Sequence, residues 1–231
     1  ILSTRSDILP AAYIEELSHL QSRVKPMTQE VVTQVLSQEL AAPPEKFFKD
    51  FSWEPLASGS VAQTHRAVLL SGDEVVVKVQ RPHLEEILAE DIQLLIKLSR
   101  RIPKGILPMV NLTEVFENLK QTLESEIDFR NEADAIHTFA ALNKGIKCVG
   151  VPEVYDQYTT RHVLVEEYIA GLPINHYQEL LEAGYDLEDI GRKLMLAFIK
   201  QVFKDGYFHG DPHPGNLLIK EGKIYFIDFG I

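Results

Sequence analysis

The sequence predicts an α+β fold built as two lobes, and three observations carry that expectation. A valine-rich hairpin pattern occupies the stretch from 53 to 80: "VAQTHRAVLL", the turn "SGD", then "EVVVKV". Long stretches of helical spacing lie on either side of it. Near the far end, a polar loop, "FHGDPHPGNLLI" at 208–219, runs into a second small hairpin. A sheet with a long helix, followed by helices and a hairpin carrying polar residues, is a two-lobed plan.

The first fifty residues read as a helical extension. "AAYIEELSHLQSRV" sets Tyr13 or Ile14, Leu17 and Leu20 at helical spacing, and "TQEVVTQVLSQEL" starts on a Thr28 cap after Pro26. Pro43 and Pro44 punctuate its exit. After the hairpin, helical patterns cover 83–101 and 111–144, separated by Pro103 and Pro108. "VPEVYDQY" and "HVLVEEYI" read as strands, and Gly171 and Pro173 mark the next transition. Helices are expected at 174–183 and 187–205, then the short strands "NLLI" and "KIYFID". The boundaries follow these shifts: an extension over 1–52, a first lobe with an inserted helix over 53–170, and a partial second lobe over 171–231.

Composition narrows the function classes. The 231 residues are 45% hydrophobic and 25% charged, ordinary for a globular chain. A formal net charge of -11 opposes a phosphate backbone, so nucleic acid is not expected as a partner. Cys148 is the sole cysteine, which rules out an internal disulfide and a Cys-rich metal site. No apolar run approaches the roughly 18 residues that span a bilayer. The abrupt opening "ILSTRSDILP" and the stop one residue after "DFG" lead us to expect further chain on both sides.

The polar loop carries the chemistry. His209-x-Asp211 is followed by Asn216, and Asp228-Phe229-Gly230 begins 17 residues after Asp211. That order matches the catalytic loop and metal-binding turn of protein kinases. Phosphoryl transfer needs a carboxylate to orient the attacking hydroxyl, a task that suits Asp211. It also needs oxygen ligands for Mg²⁺, a task that suits Asn216 and Asp228. Read alone, "DPHPGN" would be a turn; both motifs in order argue for the site. A zinc pair at His209 and His213 is disfavoured, because Pro212 and Pro214 forbid the helix such a pair uses.

Other parts of such a site follow. "VVVKV" places Lys78 on the second hairpin strand. The phosphate-covering loop falls on Ala57-Ser58-Gly59-Ser60-Val61-Ala62-Gln63-Thr64, with one glycine where the usual pattern has three. Alanine is less permissive than glycine, so this loop should be stiffer. In "LKQTLESEIDFRNEADAI", a continuous helix would set Glu124, Asp128 and Glu132 on one face, with Glu132 reaching Lys78. The separation of Lys78 and Glu132, 54 residues, is large enough for an inserted helix.

Together these stretches resemble the UbiB/AarF family of atypical protein-kinase-like proteins (the ADCK proteins of eukaryotes). The matching segments are "LSTRSDILPAAYIEEL", "PLASGSVAQTHRA", "VVVKVQRP", "ESEIDFRNEA", "VLVEEYIAG" and "HGDPHPGNLLI…IDFG", spread over nearly the whole chain. The resemblance implies a two-lobed protein-kinase-like fold with an added N-terminal helical extension and a truncated C-lobe. It places the family's alanine-rich loop on residues 57–62 and its ExD motif on Glu126 and Asp128. It implies a Lys78–Glu132 pair, a set of Asp211, Asn216 and Asp228 for catalysis and Mg²⁺, and backbone groups of Glu167 and Ile169 for the adenine of ATP.

The resemblance further implies ATPase or kinase-like activity that supports isoprenoid quinone biosynthesis or membrane lipid metabolism. The expected partners are a nucleotide, membrane lipid or quinone precursors, and quinone-biosynthesis enzymes, at the cytoplasmic face of a bacterial membrane or inside a eukaryotic organelle. Three departures stand out. Gly59 replaces a frequent alanine, which should restore some flexibility. Glu166 occupies the usually apolar gatekeeper position. The family's KxGQ motif would precede Ile1, so Glu126 and Asp128 are expected to lack its lysine. Two alternatives share the same loop: a small-molecule kinase of the aminoglycoside or choline type, which also carries "HGDPHPGN", and a nucleotide-sensing scaffold without turnover.

Overall fold

The computed structural model describes residues 24–99 and 112–230. The helix expected over 13–24 lies almost entirely outside them. Helix α1 (Gln29–Glu39) follows Thr28 and buries Val32, Val35 and Leu36, the stripe its spacing demands. Thr28 occupies the cap position, but its side chain caps no backbone N–H.

The first lobe is an antiparallel sheet of β1 (Phe48–Phe51), β2 (Ala57–Ser58), β3 (Ala62–Leu69), β4 (Glu74–Gln80) and β6 (Val163–Glu167). Its order is β1-β3-β4-β6, with β2 also on β3. Strand β1 corrects the helical reading of the first fifty residues. "FKDF" is too short to show a period, and pairing defines it: Phe48 lies opposite Leu69 and Phe51 opposite Ala67, across a bulge. In β4 the period of two decides which side chain goes where. Val75, Val77 and Val79 are fully buried with α1 and Phe48, so Val76 and Lys78 face the opposite side of the sheet.

Helices α2 (Leu84–Ser99), α3 (Leu112–Glu126) and α4 (Phe129–Leu142) follow. The expected single helix over 111–144 is therefore broken. Asp128 leaves helical geometry at φ -101° and ψ 100°, and its side chain accepts a 3.1 Å hydrogen bond from the N–H of Arg130. An N-cap carboxylate starts α4 there. Glu124, Asp128 and Glu132 consequently do not form one helical row; Glu124 sits beside Lys120 on α3 at 3.5 Å.

The second lobe is built on a sheet of β5 (Val149–Gly150), β7 (Leu172–Pro173), β8 (Leu217–Lys220) and β9 (Lys223–Phe226), in the order β5-β9-β8-β7. "VPEVYDQY" does not form the expected strand. It contributes one bridge, Val154 to Glu166, and a 3₁₀ turn over Asp156–Tyr158. Helices α5 (Tyr177–Glu182) and α6 (Leu187–Lys200) pack beside this sheet, and a wider π turn over Gln201–Asp205 ends in left-handed Gly206. One core joins the lobes: Phe129, Ala133, Ile136 and Phe139 of α4 pack with Leu164, Ile219, Phe226 and Phe229.

A polar chain anchors the first lobe. Gln63 and His65 are both wholly buried on β3. The N–H of Met27 donates to Gln63 Oε1 at 2.6 Å, Gln63 Nε2 donates to His65 Nε2 at 2.9 Å, and His65 Nδ1 donates to the carbonyl of Ser52 at 2.8 Å. This directional chain requires a neutral imidazole with its proton on Nδ1. Burial lowers the His65 pKa, and its bond to Ser52 offsets this only in part.

Two outcomes follow from this packing. Because the folded state resists protonating His65, stability is complete above the unfolded value of about 6.5 and falls as pH drops below it. Denaturant titrations of His65→Gln between pH 7 and 5 should show a shallower loss than the unmodified chain. A Cβ at Gly171 would lie 2.9 Å from Leu218 Cβ and 3.1 Å from Ile219 O, whereas one at Gly59 would meet only Ala62 O at 3.5 Å. Gly171→Ala should thus cost about 1–3 kcal/mol, and Gly59→Ala should be neutral or stabilising by up to about 1 kcal/mol in the same assay.

Candidate active site

Between the lobes lies a cleft of about 510 Å³, within the range of small-molecule sites. Its roof is the turn from β2 to β3, its back wall is β4 and the end of β6, and its floor comes from the loops around β8 and β9. Ala57, Gly59, Ser60, Val61, Ala62, Lys78, Glu132, Glu167, Ile169, Asn216 and Asp228 all line it. Ser58 belongs to the same turn on β2.

Lys78 is the centre of the charge. Its Nζ lies 2.6 Å from Glu132 Oε1, 3.1 Å from Asp228 Oδ1 and 3.7 Å from Glu166 Oε1. Burial works against the ammonium charge, but the carboxylates of Glu166, Glu132 and Asp228 outweigh it and hold the lysine pKa above its ordinary value. Glu132 also accepts the N–H of Phe229 at 3.1 Å on the same oxygen. One carboxylate on α4 therefore fixes both the strand lysine and the turn bearing Asp228.

That turn is strained and braced. Asp228 has φ 62°, the left-handed region that a side chain rarely adopts. On one side the N–H of Ile227 donates to Asn216 O at 3.0 Å, and His209 Nε2 donates to Ile227 O at 3.1 Å. On the other, Phe229 packs edge-on against Phe139 and His209, with ring centroids 5.1 and 4.7 Å apart. Asp211 is exposed and does not line the cleft itself; it lines a small adjoining hollow with Asp228 and Phe229. Asn216 Nδ2 donates to the Asp211 carbonyl at 3.2 Å and reaches Asp211 Oδ2 at 3.4 Å. His213 Nδ1 accepts the N–H of Gly215 at 3.1 Å, so this ring caps the 3₁₀ turn over Pro214–Asn216.

Sequence reasoning overlooked Arg81. Its Nε donates to Gly59 O at 2.8 Å, and its Nη2 donates to Ser58 Oγ at 2.9 Å and to Lys25 O at 3.0 Å. With the N–H of Gly59 on Ala62 O at 2.8 Å, the roof turn is held at both ends. The expected flexibility at Gly59 is thus countered: its φ is not left-handed, and Arg81 grips its carbonyl. The only hint was a cation just beyond β4, before Pro82.

The two residues of the ExD motif fall on different elements, Glu126 at the end of α3 and Asp128 at the cap of α4. Asp128 is not left unpaired; Arg130 Nη2 lies 2.6 Å from its Oδ2, and this side-chain bond first of all lowers its pKa. The side chain of Glu126, which ends α3, lies outside the described residues. Glu166, flagged only as a gatekeeper, is buried in the back wall, and its Oε2 has no hydrogen-bond partner among the described residues. Burial pushes its carboxyl up to about 7; Lys78 opposes that shift, while Glu132 and Asp228 add to it.

Comparison with known proteins gives the family and the fold. A "Probable protein kinase UbiB" of Cellvibrio japonicus is 37% identical over 221 residues, covering 95% of this chain and 40% of that protein. A protein from the hydrogenase 1 5′ region of Clostridium pasteurianum is 42% identical over 232 residues, covering 100% of this chain and 44% of that protein. The chain thus spans less than half the length of these curated relatives. Among solved structures, the Rv3197–erythromycin complex of Mycobacterium tuberculosis superimposes with a TM-score of 0.74 at 29% identity, over 99% of this chain and 58% of that one. The fold is kinase-like, and residues 19–231 match the ABC1 atypical kinase-like domain. The chain belongs to the ABC1 atypical kinase-like family, in which its UbiB relative also stands.

Proposed function

We propose that the cleft binds ATP with Mg²⁺ and transfers its terminal phosphoryl group, as an atypical kinase or ATPase. The observation that carries this reading is the Lys78 cluster: a strand lysine, a helix glutamate and the Asp228 carboxylate, far apart in sequence, meet within 3.1 Å. Lys78 would meet the α- and β-phosphates while Glu132 holds it in place. Asp228 and Asn216 would supply the oxygen ligands of the metal, and the cation would neutralise charge developing on the phosphates. Both residues line the cleft, and the Asp228 side chain is 58% exposed, accessible to an ion from solvent. Asp211, which shares a small hollow with Asp228, would orient the acceptor hydroxyl or water.

The roof turn of residues 57–62 would cover the phosphates, and Glu167 and Ile169 would meet the base. Glu126 and Asp128 would form the family's ExD motif. For the whole protein we propose, on the family resemblance, a role in ubiquinone-type quinone biosynthesis or membrane lipid metabolism; the name of the UbiB relative, a probable protein kinase, supports the phosphoryl-transfer part of that reading. On that reading its partners are lipid or quinone precursors and the enzymes that handle them, on a membrane or organellar surface. No helix of the described residues is long and apolar enough to cross a membrane. The domain division proposed is the extension 1–52, the first lobe 53–170 and the second-lobe portion 171–231, with β1 of the extension completing the first-lobe sheet and β5 of the first lobe joining the second-lobe sheet.

Two substitutions test the reading. Asp211→Asn in the full-length protein should abolish nucleotide turnover in a phosphate-release assay and leave Mg-ATP binding intact; unchanged turnover would sink it. Lys78→Met removes the cation from three carboxylates, so melting should show a loss of about 3–5 kcal/mol. The rise in melting temperature that Mg-ATP gives the unmodified chain should also disappear.

A further inference from the structure

The back wall of the cleft holds an unpartnered acid at an unusual place. Glu166 is 4% exposed, and its Oε1 is turned toward Lys78. Its Oε2 is buried and accepts nothing from the protein, among the described residues. A buried acceptor left unmade is expensive, so such an atom in a binding cleft points to a donor arriving with the ligand. Backbone pairing fixes the position: Glu166 lies opposite Val76 on β4 and is bridged to Val154 on its other side. The side chain is held between Lys78, at the phosphate end, and the segment Glu167–Ile169, at the base end.

Resting on the nucleotide reading above, we propose that Glu166 selects the base: Oε2 accepts a hydrogen bond from the exocyclic 6-amino group of an adenine seated against Glu167–Ile169. An aminopurine brings the missing donor. A purine without that group leaves the acceptor bare, and a 6-oxopurine sets a second acceptor against it. The discrimination follows the rule that a site built for a hydrogen bond rejects the analogue lacking it more strongly than an apolar pocket would. The groups facing this carboxyl are Lys78, Glu132 and Asp228, which set its charge state. The titration is run at alkaline pH to favour the ionised acceptor, which makes the stronger bond.

The test is calorimetric titration at pH 8 with Mg²⁺, using ATP, purine riboside triphosphate and inosine triphosphate. The unmodified chain should bind ATP about ten-fold or more tightly than either analogue. In Glu166→Met, similar in size but with no oxygen acceptor, the three affinities should converge. Glu166→Gln, whose amide oxygen can still accept, should keep part of the preference. Far-ultraviolet circular dichroism checks that each variant folds. Equal binding of ATP and purine riboside triphosphate by the unmodified chain overturns the inference while leaving the nucleotide reading intact. So does a preference that survives unchanged in Glu166→Met. Binding of none of the three by the unmodified chain removes the nucleotide reading, and the base selection with it.

Discussion

The contact between Lys78 and Glu132 is the constraint on which the rest of the architecture depends. A buried ammonium is tolerable only beside compensating charge, and here that charge comes from a different element. Glu132 projects from the first turn of α4, so the start of that helix must be set accurately against β4. Asp128 sets it. The cap ends α3, redirects the chain and starts α4 one turn before Glu132, while Gln80 Nε2 donates to the carbonyl of Ile127 from the end of β4. Cap, strand end and ion pair are thus one positioning system.

The same helix carries the constraint to the second lobe. Seven residues further along the same face of α4, Phe139 meets both Phe226 and Phe229 at 5.1 Å. Glu132 meanwhile accepts the backbone of Phe229. Apolar packing therefore locates the Asp228 turn, and one hydrogen bond orients it. The left-handed backbone at Asp228 is sustained because its neighbours on both sides are tied, Ile227 to Asn216 and Phe229 to Glu132.

Much of this was legible in the sequence because it depends on period and spacing. The alternation in "EVVVKV" sends three valines one way and Lys78 the other, and a strand needs nothing more to be oriented. Asn216 and Asp228 both reach the cleft, and Asn216 bonds Asp211, for a similar reason: the tight turn and short hairpin between them leave the chain few paths. What was lost depended on partners distant in sequence. β1 exists because β3 offers an edge, and "FKDF" alone carries no such information. The break at Asp128 was hidden because residues on both sides have good helical spacing, which outweighed a single capping carboxylate. Arg81 was missed because its partners Ser58 and Gly59 lie across a hairpin; Glu166 was noted as an unusual gatekeeper, but its unpartnered oxygen can be recognised only once its neighbours are known.

The charge balance of the cleft constrains what can enter. Among the described residues Lys78 is the single cation of the lining, against Glu132, Glu166, Glu167 and Asp228. Lys78 is already matched by Glu132 and Asp228, so a triphosphate arriving alone would meet surplus negative charge in a partly desolvated space. A divalent cation reverses that balance, and Asp228 offers it an exposed carboxylate. On the proposed reading, metal and nucleotide enter as one neutralised unit rather than in sequence. The raised pKa of Glu166 fits this electrostatic pattern, because the acid deepest in the wall is the one that resists carrying yet another negative charge.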